Sequence, residues 1–443
     1  MTPASLHRNL LMDTTAQKNF LARIGIPPAL AWGLLGLFLF MVGDGVESGF
    51  LSPYLVSRGM TMATVAWLFT GYGVMAGLAG WLSGSFSDAW GPRRVITIGF
   101  FLWVAFQLCF LTFGLHHGFV PVLLTYGLRG LGYPFFAYGF LVWITVVTPT
   151  QRLSSAMGWF WFAFTGGLPT LGSVVASWCV PRVGPLATLW IALAFVIAGG
   201  LILLVGVREP LGRTRLVRSE ERAFTALWHS VSLLWRRPRT GVACLTRLIN
   251  TAPEFGFLVF LPAFFVHTIG FTLIEWLHLL SVIFLSNIVW NLLFGLIGDR
   301  FGWVRTTALF GGLGCCLSTL AIYYVPLWRH SLAAAMIVGA LYGATLAGYV
   351  PLSALMTNLA PEERGAALSL LNLGAGASAS VGPAIVGFCL PTFGVPGVIW
   401  IFAFLYLCSA ALALQLRWDD SADRDRAPSF PNGECGQAVP ADR

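Results

Sequence analysis

Charged residues are scarce in this 443-residue sequence. Asp, Glu, Lys and Arg make up 10% of the chain, and 57% of it is hydrophobic. A soluble globular protein has about 25% charged residues. The mean hydropathy is +0.78. A compact soluble domain could not bury the side chains of so apolar a sequence, so the composition predicts an integral membrane protein.

The sequence also lacks the short motifs of several enzyme classes. It has no phosphate-binding P-loop, no GxSxG, no HExxH and no CxxC pair. We therefore expect no metal site and no cofactor. The formal charge of +8 is spread over connections, without a basic stripe interleaved with aromatics, which argues against a nucleic-acid partner.

Twelve apolar stretches are long enough to span a bilayer, the first near 28–51. They are continuous rather than alternating, which predicts an all-α membrane protein and not a barrel. Alternate connections are rich in arginine, and the positive-inside rule places them, with both termini, in the cytoplasm. The predicted divisions are a cytoplasmic segment 1–27, a six-helix bundle 28–207, a cytoplasmic linker 208–240, a second six-helix bundle 241–416 and a disordered cytoplasmic tail 417–443.

The two halves of the chain repeat each other. GSFSDAWGPRR at 84–94 matches GLIGDRFGWVR at 295–305, and CVPRVGPLATLW at 179–190 matches CLPTFGVPGVIW at 389–400, with spacings of 210 to 211. Parallel repeats of six helices with a site between them are a transporter architecture. The first match predicts a doubled cytoplasmic gating motif, formed by Gly84, Asp88, Gly91, Arg93 and Arg94 in one copy and by Gly295, Asp299, Gly302 and Arg305 in the other.

This doubled motif and the plan of six plus six helices resemble the major facilitator superfamily over about 28 to 416. The resemblance implies a central cavity between two bundles and alternating access. GDGVESGFLSPYL at 43–55, SSAMGWFWF at 154–162, RLINTAPEFGF at 247–257 and a long stretch at 274–303 further resemble bacterial polyol permeases. Membership of that group would imply uptake of a linear sugar alcohol together with protons.

Very few ionisable residues lie at membrane depth, and such groups usually face a cavity or a partner. Asp44 and Glu47 are three residues apart in the first span, so we expect them to share a helix face with at least one protonated. Arg129 in the fourth span is placed to pair with one of them. We interpret the three as proton-coupling residues; the alternative is a fixed structural ion pair.

The polar residues of the other spans suit a neutral polyhydroxyl ligand. Amides in lipid need partners, and flat aromatic rings can contact the C–H faces of a polyol. Arg247, Asn250 and Glu254 lie at helical spacing on one face of the seventh span. The predicted substrate-binding candidates are Tyr126, Tyr133, Trp159, Trp161, Arg247, Asn250, Glu254, Asn287, Asn291 and Asn372.

The sequence thus predicts a non-enzymatic secondary transporter, monomeric in the inner membrane, that imports a small polyol by proton symport. Two alternatives stay open. One is a facilitator or proton symporter for another sugar or a small organic anion. The other, a multi-spanning membrane enzyme or sensor, would need a catalytic constellation or a soluble domain that the sequence does not contain.

Overall fold

The computed structural model describes residues 26–149, 153–214, 220–360 and 363–416, which are almost entirely helical. Residues 1–25 and the predicted tail lie outside these ranges. Ten apolar stretches are long enough to cross a membrane. Two of them contain a non-helical glycine, Gly184 and Gly394, where one helix ends and another begins. Divided there, the described residues form twelve membrane helices, as expected.

The first half contains helices α1 to α6, which we call the N-half. Their bounds are α1 Ala31–Gly45 with a continuation Leu51–Ser57, α2 Met62–Trp90, α3 Pro92–Thr112, α4 Phe119–Arg129 and Gly132–Val147, α5 from Leu153–Thr165 through a π turn Gly166–Leu171 to 183, and α6 185–206.

The second half contains α7 to α12, which we call the C-half. Their bounds are α7 Pro238–Ala263 with a π turn Phe264–Ile269, α8 Leu273–Phe301, α9 Trp303–Thr306 through a π turn Thr307–Gly314 to Cys315–Arg329, α10 Leu332–Leu346 and Leu352–Leu359, α11 364–393 and α12 395–415. A linker helix, Glu220–Arg236, lies between the halves, so the predicted linker 208–240 contains a helix.

The backbone repeats as the sequence does. Every described residue with a positive φ has a counterpart 210 to 212 residues away, and these residues lie where one helix turns into the next. The pairs are Gly59 with Gly270, Gly91 with Gly302, Gly118 with His330, and Gly184 with Gly394. Because L side chains rarely adopt this conformation, the repeat of four such positions confirms that one six-helix unit is used twice.

Helix α1 differs from the prediction of one continuous span over 28–51. It ends at Gly45, and a turn over 46–50 precedes the short helix Leu51–Ser57. A Cβ at Gly45 would overlap the Leu168 carbonyl in the π turn of α5, and Gly43 lies against Ala192 and Val196 of α6. The small residues therefore let three backbones approach closely around the acidic turn.

The two halves are joined by backbone-level contacts. Gly73 of α2 packs on Ala379 of α11. Two hydrogen bonds also cross between the halves at the end of the bundle opposite the gating motif. The Ser52 hydroxyl donates to the Val259 carbonyl at 2.5 Å, and the Trp276 indole donates to the Gly49 carbonyl at 2.8 Å. This end of the bundle is closed.

Candidate functional site

The acidic turn of α1 lies at the middle of the N-half. Asp44 is in the last helical turn, and Glu47 follows in the non-helical segment, where the amides of Phe50 and Leu51 bond to its carbonyl. Both side chains are only 5% exposed. The helix therefore ends between the two carboxylates, with Asp44 in its last turn and Glu47 in the turn that follows.

Glu47 forms a buried ion pair with Arg129. Arg129 Nη1 donates to Glu47 Oε2 at 2.7 Å, and Nη2 donates to Oε1, so the contact is bidentate. Arg129 is fully buried at the end of the first segment of α4. The expected pairing of Arg129 with one carboxylate is therefore present, and the partner is Glu47. Its role in coupling stays a prediction.

Besides Glu47, the groups in direct contact with Arg129 are neutral, and Asp44 interacts with it electrostatically without a salt bridge. Gln107 of α3 accepts a hydrogen bond from Nη1 and donates to the Leu189 carbonyl of α6 at 3.5 Å. The guanidinium carbon lies 4.6 Å from the Tyr126 ring centroid and 5.0 Å from that of Trp103. Stacked rings and one amide thus hold a cation that has a single carboxylate partner.

Asp44 is held by neutral donors. The Trp103 indole donates to Oδ1 at 2.6 Å, and the Tyr72 hydroxyl donates to the same oxygen at 3.4 Å. Within the described residues Asp44 forms no salt bridge. The two acids of α1 therefore have different surroundings: Glu47 is paired with a cation, and Asp44 accepts only uncharged hydrogen bonds.

Tyr72, Trp103 and Gln107 also belong to the site and were not expected from the sequence. Charge at membrane depth was the signal that indicated the site, and none of these three residues is charged. Gln107 carried a usable signal, because an amide inside the apolar run of α3 needs a partner. The two aromatics carried none among 18 tryptophans and 10 tyrosines.

The predicted aromatic contacts are only partly gathered here. Tyr126 contacts Arg129, and Tyr133 stacks beyond Tyr72 with ring centroids 6.2 Å apart. Trp159 packs edge-on against Phe162 of its own helix. Trp161 is 41% exposed, and no contact in the described part of the chain joins it to the Glu47–Arg129 pair.

The C-half contributes the polar face of α7. Arg247 Nη1 donates to Asn250 Oδ1 at 2.8 Å, and Asn250 Nδ2 donates to the Leu346 carbonyl at 3.5 Å. The carbonyl of Asn250 accepts from the Tyr406 hydroxyl at 3.1 Å. The Asn250 side chain thus holds Arg247 in place and keeps one N–H beyond its bond to Leu346. Helix α7 continues through Pro253 and carries Glu254, which is half-buried.

The other predicted asparagines differ from one another. Asn287 donates to the Gly343 carbonyl at 3.1 Å and accepts from Asn291 at 3.0 Å, which ties α8 to α10. Asn291 is half-buried, and its side-chain carbonyl has no protein donor among the described residues. Asn372 on α11 is exposed.

The gating motif lies at the other end of the helices. Arg93 donates to the carbonyls of Val207 at 2.9 Å and Leu204 at 2.5 Å, and so caps the end of α6 within its own half. Asp88, at the end of α2, forms no salt bridge within the described residues. Arg305 is exposed, and the side chain of Asp299 lies outside the described part of the chain. Latching by this motif stays a prediction.

The sequence profile of the Major Facilitator Superfamily matches residues 33–336 and 243–435. The chain belongs to this superfamily. Three related transporters match over about nine tenths of both chains. An alpha-ketoglutarate permease of Bacillus subtilis is 44% identical (90% of this chain, 91% of the relative). A D-arabinitol transporter and a ribitol transporter of Klebsiella pneumoniae are 39% and 38% identical (each 89% of this chain, 93% of the relative).

These relatives confirm the predicted fold of two six-helix bundles and the likeness to polyol transporters. The chain is a transporter and not an enzyme. In a major facilitator transporter the ligand site lies between the two halves. In this chain the Asp44, Glu47 and Arg129 cluster belongs to the N-half, and Arg247 and Glu254 belong to α7 of the C-half.

Proposed function

We propose that the chain imports a small neutral polyol, of the ribitol or arabinitol type, by proton symport through alternating access. The observation that carries this proposal is the charge balance between the halves. The membrane helices of the two halves carry three carboxylates, Asp44, Glu47 and Glu254, and two guanidinium groups at comparable depth, Arg129 and Arg247. Arg129 is already paired with Glu47. An anionic substrate would find no surplus of positive charge, whereas hydroxyl groups can donate to carboxylates and accept from arginine.

The surroundings of Asp44 support it as the proton carrier. Its protonation breaks no salt bridge in the described part of the chain, and the indole of Trp103 still has a carboxyl oxygen to bond. Protonation of Glu47 would instead leave Arg129 as a buried charge without its counter-ion, which is costly. We therefore assign proton uptake to Asp44 and fixation of Arg129 to Glu47.

The orientation that we propose for the chain in the membrane is based on its arginine-rich connections, which the positive-inside rule places in the cytoplasm. With the gating-motif end and both termini in the cytoplasm, the closed end formed by Ser52, Val259, Gly49 and Trp276 faces outward. The chain would then act as a monomer in the inner membrane and need no cofactor besides the coupling proton. Substrate and proton enter from outside, the halves rock, and both leave inside.

The test is uptake into proteoliposomes of labelled ribitol and D-arabinitol, with and without an inward proton gradient. We expect the gradient to drive accumulation of at least one polyol. Asp44→Asn should abolish accumulation while it preserves exchange of internal for external polyol, and Glu363→Gln, far from the cluster, should change neither. Failure of both polyols to be carried or to compete would refute the substrate class, and normal accumulation by Asp44→Asn would refute the coupling role.

A second candidate substrate is a small organic anion. The specific observation is the 44% identity to a protein named alpha-ketoglutarate permease, together with Arg247, which has N–H groups beyond its bond to Asn250. Labelled alpha-ketoglutarate in the same proteoliposomes distinguishes the two. Its accumulation in place of polyols would favour this candidate.

A further inference from the structure

Glu254 lines a cleft between α7, α8 and α10. The other walls of this cleft are aliphatic and aromatic side chains, among them Phe257, Trp276, Leu280 and Tyr342. Glu254 is half-buried, and in this conformation, which is closed at one end, the cleft beside its carboxylate has room for about one water molecule. A carboxylate in such surroundings needs donors that the apolar walls do not provide.

The two polar groups on these walls are already engaged. The Trp276 indole donates to the Gly49 carbonyl across the halves. Tyr406 donates its proton to the Asn250 carbonyl, so at the 3.0 Å contact between the two hydroxyls Tyr342 is the donor to Tyr406. Neither wall donor is free for Glu254.

The nearest cation does not neutralise Glu254 directly. Arg247 lies two helical turns earlier on α7 and interacts with Glu254 electrostatically. The two form no salt bridge within 4.0 Å, and Arg247 is held by Asn250. In the described part of the chain, Glu254 thus has neither a hydrogen-bond donor nor a contact ion pair.

We propose that Glu254 is the specificity-determining residue of this transporter. When the two halves open and widen the cleft, its carboxylate accepts hydrogen bonds from two hydroxyl groups of a polyol, and its charge excludes anionic solutes of similar size. This inference rests on the proposed function, because it takes a neutral polyhydroxyl compound as the substrate. Bonds to a carboxylate are about twice as strong as those to a neutral amide, so the charge serves both affinity and discrimination.

The test compares Glu254→Gln, Glu254→Asp and wild-type protein in proteoliposomes. Polyol exchange at equal pH is followed with and without alpha-ketoglutarate as competitor. Glu254→Gln keeps the shape and removes the charge. We expect its KM for the polyol to rise about tenfold with little change in maximal rate, and alpha-ketoglutarate to begin to compete. Glu254→Asp keeps the charge and should still exclude the anion.

Glu275→Gln is the matched control. Glu275 closes the capping box of α8 with Thr272, where glutamine serves as well as glutamate, so this variant makes the same charge change away from the cleft. It should leave both affinity and exclusion unchanged. A merely structural role of Glu254 would lower the rate in both of its variants without admitting the anion.

The outcomes separate the two proposals. If wild-type protein transports polyols and Glu254→Gln has the same polyol affinity and still excludes the anion, the role of Glu254 is wrong and the proposed function stands. Wild-type transport of alpha-ketoglutarate and not of polyols overturns the proposed function. If Glu254→Gln does not fold, competition by alpha-ketoglutarate in Glu254→Asp overturns the inference, and continued exclusion with a raised KM supports it.

Discussion

The Glu47–Arg129 pair gives the sharpest quantitative prediction. Removal of one partner from a buried ion pair costs about 3 to 5 kcal/mol, because the other charge is left in the protein interior without compensation. Arg129 is fully buried and Glu47 nearly so. Glu47→Gln leaves Arg129 with the Gln107 oxygen and the rings of Tyr126 and Trp103, so its loss should lie near the lower figure. Arg129→Gln leaves a buried carboxylate without a cation and should lie near the higher figure.

The double variant Glu47→Gln/Arg129→Gln should be more stable than either single variant. Two neutral amides can bond to each other and to Gln107, and no buried charge is left. We expect a loss of about 1 to 2 kcal/mol relative to wild type, since some packing and cation–π contact is also lost. The coupling energy from the double-mutant cycle should therefore be large and favourable to the pair.

The assay is unfolding in detergent micelles titrated with sodium dodecyl sulfate, followed by far-ultraviolet circular dichroism. The exposed pair Arg236–Glu363, at 3.2 Å, is the control, and its cycle should give about 0.2 to 1 kcal/mol. If the losses of the two single variants at Glu47 and Arg129 simply add in the double variant, the uncompensated-charge reasoning is wrong.

Three further changes test the packing around the site. Trp276→Phe removes the indole hydrogen bond to Gly49, worth about 1 kcal/mol. A cysteine reporter, Ser48→Cys, should then react about five times faster with an impermeant maleimide added on the outer side. An unchanged reaction rate would contradict a role of the Trp276–Gly49 bond in closing this end. Gly45→Ala overlaps the carbonyl in the π turn of α5 and should cost about 3 kcal/mol, seen as a lower melting temperature than wild type and a smaller monodisperse fraction. His330→Gly relieves the one described non-glycine residue with positive φ and should stabilise by up to about 1 kcal/mol; a lower melting temperature would refute this.

The sequence predicted the membrane helices and the repeat because both follow from local requirements. Lipid demands long apolar helices with internal backbone bonds, and the turns between helices demand glycine at fixed positions such as Gly91 and Gly302. Both the apolar runs and the turn glycines can be recognised from short stretches of consecutive residues.

The contents of the site depend on which side chains meet across helices, and that is not a local property. The sequence identified Asp44, Glu47 and Arg129 as a cluster, because charge at membrane depth is rare. It did not show that Arg129 binds Glu47 while Trp103 binds Asp44. It also did not show that the Asn250 side chain bonds to Arg247 and to the Leu346 carbonyl of α10, and its role as a substrate ligand stays a prediction.

The two halves repeat in backbone and differ in charge, and this difference shapes the transporter. Glu254 lies 210 residues after Asp44, so each half has an acid at the corresponding place in its first helix. The positions 210 to 212 after Arg129 hold Gly339, Ala340 and Leu341, and none is a cation. The N-half can therefore keep its second acid neutralised by a dedicated arginine, whereas the C-half leaves its acid in an apolar cleft. Among the described residues, a duplicated scaffold thus carries an unpaired acid in each half, Asp44 and Glu254, and an additional acid paired with arginine in the N-half alone, as expected if the N-half handles the proton and the C-half the hydroxyl groups.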